Sequence, residues 1–220
     1  MTLTKLNKEI VCCRKCPRLV AWREQVAREK RRAYQNWDYW GKPVPGFGDP
    51  NARVFVVGLA PGAHGSNRTG RQFTGDASGN FLYPALFRAG FANQSESTCQ
   101  GDGLELSDLY TAPICRCAPP QNKPTQQEMQ NCQPYLEREL AIIKPKVIVV
   151  LGRIAFDSVL RIYSIRSSGW KFSHAAKFHL PDGKWMLCSY HPSQQNTLTG
   201  RLTLPMFDQI WRQARDLLDQ

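Results

Sequence analysis

Four cysteines, arranged as Cys13-x2-Cys16 and Cys117-x14-Cys132, carry the spacing of a metal centre that would tie the start of the chain to its middle. Thiolates are the usual protein ligands of iron–sulfur clusters, and a tetrahedral set of four holds zinc equally well. A zinc ribbon presents two compact cysteine pairs. Here the second half is two single cysteines, one in the Pro-rich stretch Cys117-Ala118-Pro119-Pro120-Gln121-Asn122-Lys123-Pro124 and one on a predicted helix, which favours an iron–sulfur centre, read as a [4Fe-4S] cluster. Zinc and unligated buried thiols remain as alternatives, and Cys12 or Cys115 could take the place of Cys13 or Cys117.

Two further segments carry chemistry-bearing residues, each directly after an apolar run that reads as a strand. The first is the loop Gly58-Leu59-Ala60-Pro61-Gly62-Ala63-His64, continuing through Asn67-Arg68-Thr69-Gly70-Arg71-Gln72-Phe73 to Asp76. It lacks the Gly-Lys-Ser/Thr of a phosphate-binding P-loop, and its helix begins too late for a dinucleotide fingerprint. The second is His191-Pro192-Ser193-Gln194-Gln195-Asn196-Thr197. Asp76 has two readings, as a reactive carboxylate or, like Ser78, as the cap of a helix starting near Gly79.

The elements that must position these residues are legible from periodicity. Residues 53–58 and 147–152 are β-branched runs ending in glycine and read as buried strands, and 104–112 is a weaker strand candidate. Residues 80–89, 154–162 and 205–218 have helical spacing of apolar residues. Thr125-x-x-Glu128 is a capping-box pattern opening a helix that closes at Ile143, before Lys144-Pro145, with Cys132 on it. A hairpin is expected around Pro181-Asp182-Gly183, between 177–180 and 185–190. Strands alternating with helices imply an α/β fold over a single domain, residues 1–220, with a mostly parallel central sheet flanked by helices.

Lysine plus arginine exceeds aspartate plus glutamate by 29 − 18 = 11, a balance that attracts polyanions, nucleic acid first among them. The basic run from Arg14 to Arg32 leads into Tyr34, Trp37, Tyr39 and Trp40; it reads as a solvated face followed by packing aromatics, or as a phosphate-contacting surface. No apolar stretch is long enough to cross a membrane, and the first residues lack a secretory core, so a cytoplasmic protein is expected. Cysteines in such a protein argue for metal binding or free thiols rather than disulfides.

Taken together, the cysteines and the two loops resemble the uracil-DNA glycosylase superfamily, specifically its iron–sulfur branch, families 4 and 5, from about Cys13 to Arg201. Gly58-Leu59-Ala60-Pro61-Gly62, the Asn67-Arg68-Thr69-Gly70-Arg71 continuation and the Cys117 to Pro124 stretch look like family 5. The resemblance implies a monofunctional enzyme that flips uracil, and other deaminated bases such as hypoxanthine or xanthine, out of DNA and hydrolyses the N-glycosidic bond. It implies His191 as hydrogen-bond donor to the departing base and Phe73 as the stacking aromatic. Gly62, His64 and Asn122 then belong to the base pocket, and Ser193 and Asn196 to a loop entering the minor groove. Family 5 lacks the usual water-positioning side chain at positions 59 and 60, which leaves Asp76 as the nearest acidic replacement. A monomer suffices for this chemistry. The competing expectation is a non-catalytic iron–sulfur module that only binds nucleic acid.

Overall fold

Val54–Gly58 and Val147–Leu151 lie side by side as parallel, fully buried strands at the centre of a six-stranded sheet. The computed structural model describes residues 2–219; Met1 and Gln220, the outermost residues of the expected domain, lie outside the described residues. In chain order the elements are α1 (Leu3–Val11), α2 (Pro17–Glu29), β1 (Phe47–Gly48), β2 (Val54–Gly58), the one-turn α3 (Ser66–Thr69), α4 (Gly79–Arg88) and β3 (Leu109–Pro113). There follow α5 (Gln126–Ile143), β4 (Val147–Leu151), α6 (Arg153–Ile162), β5 (Lys177–His179), β6 (Trp185–Ser189), α7 (Gln194–Leu198) and α8 (Leu204–Asp216).

The sheet order is β1-β3-β2-β4-β6-β5. The inner pairs β2–β3, β2–β4 and β4–β6 are parallel, whereas the edge pairs β1–β3 and β5–β6 are antiparallel, so the sheet is mixed rather than simply parallel. The β5–β6 exception follows from the short turn at Pro181-Asp182-Gly183, since a tight hairpin joins only antiparallel strands. Period-two alternation sends Val54, Val56, Val147 and Val149 to one face, where residues of α4 and α8 cover them. Phe55, Val57, Ile148 and Val150 face the other side and pack with residues of α5 and α6.

Most predicted elements begin and end within a residue or two of expectation. The weak strand candidate at 104–112 is corrected: β3 starts only at Leu109, and Leu106 makes just an isolated bridge to Ala92. Asp108 interrupts it, with a left-handed φ of 60° and a carboxylate Oδ1 that accepts the Arg53 backbone N–H at 2.9 Å. On α5 the capping box forms as read, with Thr125 Oγ1 accepting from Glu128 N and the Glu128 carboxylate accepting from Thr125 N at 2.7 Å. Among the described residues no helix is long and apolar enough to cross a membrane.

The ion pair between Arg116 in the loop after β3 and Glu139 on α5 is sealed inside the molecule, with side chains 1% and 0% exposed. Tyr110 on β3 adds its hydroxyl to Glu139 Oε1 at 3.4 Å. Removing one member of such a pair strands the other as an uncompensated buried charge. Glu139→Ala is therefore expected to lower unfolding free energy by about 3–5 kcal/mol in urea denaturation. A loss well under about 1 kcal/mol, the range of exposed pairs, would show that Arg116 finds another partner.

Candidate active site

The parallel strands finish at one edge of the sheet, with Gly58 registered on Pro113 and Leu151 on Ser189. Both chemistry-bearing loops and the Pro-rich stretch leave from that edge, where open α/β sheets place ligands. Between them lies a cavity of about 850 Å³. Gly62, His64, Phe73, Asp76, Asn122, His191 and Ser193 all line it, as do Gln72, Arg31 and Tyr34. Asn196 does not line it.

Of the two readings of Asp76, the helix-start contact is made, and it uses one of the two oxygens. Oδ1 accepts the Gly79 backbone N–H at 3.0 Å, an end-of-helix contact at the start of α4, while Ser78 makes no capping bond. Oδ2 faces the first turn of the loop, so close that a Cβ added to Gly65 would stand 2.2 Å from it and one added to Gly62 3.0 Å. Glycine at these positions is what lets backbone and carboxylate meet. Burial pushes the Asp76 carboxyl above its ordinary 3.8, opposed by the N–H groups of Gly79 and Ser78 and by the Arg68 charge.

Arg68 holds this loop closed. Its Nε donates to His64 O at 2.7 Å and its Nη2 to Gly75 O at 3.1 Å, joining the two ends of the loop. The guanidinium is stacked 4.0 Å from the ring centroids of both Tyr34 and Trp37, and Tyr39 Oη pairs with His64 Nδ1 at 3.1 Å. The aromatics after the basic run thus pack, in line with the simpler of their two readings, but what they pack around is the reactive loop. Several basic residues of the run are also used internally: Arg14 pairs with Glu24 and Arg18 with Glu128. Spacing gave no sign that residues 34–39 and 68 meet; the only available signal was an arginine inside a Gly-rich loop of a chain with an aromatic cluster elsewhere.

On the opposite wall His191 follows β6, against the turn after β4. A Cβ on Gly152 would stand 3.4 Å from His191 Cβ. Its ring centroid is 6.2 Å from that of Phe73, at an interplanar angle of 42°. Close packing around the ring pushes the imidazole down to about 4, so at neutral pH it is uncharged and carries a single N–H donor. The segment expected as an open loop from Ser193 to Thr197 is instead largely helical: Ser193 Oγ caps α7 through Asn196 N. Asn196 turns back to donate its amide to His191 O at 2.9 Å, fixing the histidine's backbone rather than facing the cavity. Asn122 sits at a left-handed φ of 58° directly after Gln121 at 55°, an arrangement asparagine tolerates better than most residues.

The thiols Cys13, Cys16, Cys117 and Cys132 come together from the α1–α2 junction, the Pro-rich loop and α5, near enough to influence one another's charge. Cys115 joins the group through a hydrogen bond with Cys132, whereas Cys12 is exposed and opens onto a separate hollow. Nitrogen donors already point at two of the sulfurs: Arg23 Nη1 at Cys117 Sγ, 2.9 Å, and Asn131 Nδ2 at Cys16 Sγ, 3.3 Å. Among the described residues no three donor side chains converge on a single metal ion. Four soft thiols flanked by N–H donors suit an iron–sulfur group and, as four thiolates, would also suit zinc.

Comparison with known proteins agrees with this geometry. The family model described as uracil DNA glycosylase superfamily matches residues 45–215. A type-5 uracil-DNA glycosylase of Thermus thermophilus is 52% identical over 209 residues, covering 94% of each chain. One from Pyrobaculum aerophilum is 44% identical over 205 residues, covering 93% of this chain and 88% of its own. A type-4 uracil-DNA glycosylase of Sulfurisphaera tokodaii is more distant, 28% identical over 204 residues, covering 87% of this chain and 74% of its own. With the strand-end cavity, the two loops and these relatives in agreement, the chain belongs to the uracil DNA glycosylase superfamily, in its type-5 branch.

Proposed function

We propose that the protein is a monofunctional DNA glycosylase that hydrolyses the N-glycosidic bond of uracil, and of deaminated purines such as hypoxanthine or xanthine, in base-excision repair. The observation that carries this reading is the convergence, from two distant stretches of chain, of an aromatic face (Phe73), a neutral donor (His191) and a carboxylate (Asp76) on one cavity. The names of the type-5 relatives support uracil as the substrate. A cavity of about 850 Å³ has room for a two-ring base. We place the enzyme in the cytoplasm as a monomer acting on DNA.

Reaching the bond requires extruding the nucleotide, at a cost of a few kcal/mol. Phe73 offsets part of that cost by stacking on the base, and Asn122 and the Gly62–His64 wall confine it. As the bond lengthens, negative charge grows on the base and positive charge on the sugar. His191, being neutral, donates its N–H to the base oxygen, a contact typically worth about 3 kcal/mol in the transition state. In its carboxylate form Asp76 stabilises the cationic sugar and orients the attacking water. No lysine lines the cavity among the described residues, so no Schiff base forms and the abasic strand stays intact.

Cys13, Cys16, Cys117 and Cys132 would hold a [4Fe-4S] cluster, which staples α1, α2 and α5 to the Pro-rich loop without entering the reaction. Cys117 is preferred over Cys115 because the Arg23 guanidinium already addresses its sulfur. Single serine substitutions at these four positions should each lower bound iron and thermal midpoint together. Serine at Cys12 should change neither. Iron retained at full stoichiometry in Cys117→Ser but lost in Cys115→Ser would reassign the ligand.

On a uracil-containing duplex, breaks should appear only after alkali. Asp76→Asn and His191→Ala should each slow single-turnover release by about a hundredfold or more. Asparagine still caps α4 and removes a carboxylate that burial disfavours, so Asp76→Asn should melt no lower than wild type. Full activity in that variant would return Asp76 to a purely structural role, and salt-sensitive DNA binding without any base release would favour the binding-module reading.

The histidine also makes a stability prediction. Its folded value near 4 lies below the ordinary 6.5, so between those values the unfolded chain takes up a proton that the folded chain refuses. Stability should therefore fall as pH drops from about 6.5 towards 4. His191→Gln should flatten part of that slope; an unchanged slope would mean that the imidazole is not held neutral.

A further inference from the structure

Gln72 lines the cavity one residue before Phe73 and is 2% exposed. Its backbone carbonyl is fully engaged, accepting from Tyr83 Oη at 2.8 Å and Thr74 Oγ1 at 3.2 Å. On its side chain, Oε1 is buried with no hydrogen-bond partner among the described residues. The amide lies against the end of β2 beside the Phe73 ring. The point where a Cβ on Gly58 would sit is 3.0 Å from Gln72 Nε2 and 2.7 Å from Phe73 Cζ. Whichever way the amide is assigned, one polar end faces no partner.

A buried amide left unpaired carries a desolvation penalty that an apolar residue of the same volume would avoid. Placed on a ligand cavity next to the stacking ring, it is a group waiting for a partner. The geometry points to Gln72 as a residue that reads the hydrogen-bonding edge of the extruded base. This rests on the glycosylase reading of the cavity and adds the feature of the base that is read. Deamination of cytosine or adenine replaces an amino group by a carbonyl and turns the adjacent ring nitrogen into an N–H. Uracil and hypoxanthine therefore share a lactam edge, C=O beside N–H. A carboxamide complements that edge with two bonds, Oε1 accepting from the ring N–H and Nε2 donating to the carbonyl. The parent bases present the reversed pattern, so an amide held in one setting favours the deaminated pyrimidine and the deaminated purine alike.

Gln72→Met, which keeps volume but removes the amide, tests this beside wild type. Single-turnover release should fall about tenfold or more for both uracil and hypoxanthine, with the thermal midpoint unchanged or raised because an unpaired buried group is gone. In a second comparison, 3-methyluracil lacks the ring N–H. Wild type should prefer uracil over it strongly, and the Met variant should lose most of that preference. Release within twofold of wild type, an undiminished preference for uracil, or a rate loss matched by a lower midpoint would each overturn the inference. If wild type itself releases no base, the glycosylase reading fails; if wild type is active and the Met variant equals it, only the role of Gln72 fails.

Discussion

Two ionisable groups, Asp76 and His191, line one cavity and are both shielded from water by burial. Burial acts on them in opposite directions. It raises the carboxyl and lowers the imidazole to about 4, so one group is disfavoured as an anion and the other as a cation. The surrounding structure answers only the first. Asp76 receives N–H groups from the start of α4 and the nearby charge of Arg68, which favour the carboxylate, while burial is the cause of the fall at His191. At Asp76 burial still outweighs these contacts and leaves the carboxyl above its ordinary value, while His191 stays uncharged on the same cavity.

Keeping that arrangement requires a long irregular loop to stay in place, and the chain does so by borrowing its N-terminal segment. The sandwich of Arg68 between Tyr34 and Trp37, with Trp40 N donating to Arg68 O at 2.9 Å, ties the loop to the segment that follows α2. α2 is in turn fixed to α5 by the two-pronged contact of Arg18 with Glu128, and Arg23 reaches the loop after β3 through Cys117. The thiols gathered at that junction therefore sit on the same chain of contacts that holds the loop. The guanidinium groups give directional contacts that an apolar interface would not, and the buried ones, Arg23 and Arg68, risk stranding a charge when a partner is lost.

How much of this was legible in the sequence depended on the range of the contact involved. The capping box of α5, the buried runs of β2 and β4 and the hairpin at Gly183 rest on neighbours a few residues apart, and they form as read. β3 is shorter than its apolar pattern because Asp108 is taken by a distant partner, Arg53, which no local pattern records. The same holds at the site. The glycines, Phe73 and His191 announced themselves as motif residues after strands, whereas Arg68 and Gln72 matter for what surrounds them. An arginine between two aromatics, and an amide with nothing to bond, are properties of assembled space.

The departure at positions 59 and 60 shows the same logic at work in the chemistry. Leu59, in a place where other branches of the family carry a polar or acidic side chain, packs instead on the core beneath α5 and α6. A carboxylate at the far end of the same loop can take over its proposed duty only if the loop folds back on itself. It does: Asn67 N bonds to Gly62 O at 3.0 Å, and Gly62 and Gly65 leave room for Asp76 Oδ2. Closure of the loop, rather than position in the motif, thus brings a carboxyl to the cavity. The same carboxyl anchors α4, so one oxygen holds the helix start while the other lies against the glycines. A β-carbon at Gly65 would break that arrangement first, because it would stand 2.2 Å from Asp76 Oδ2.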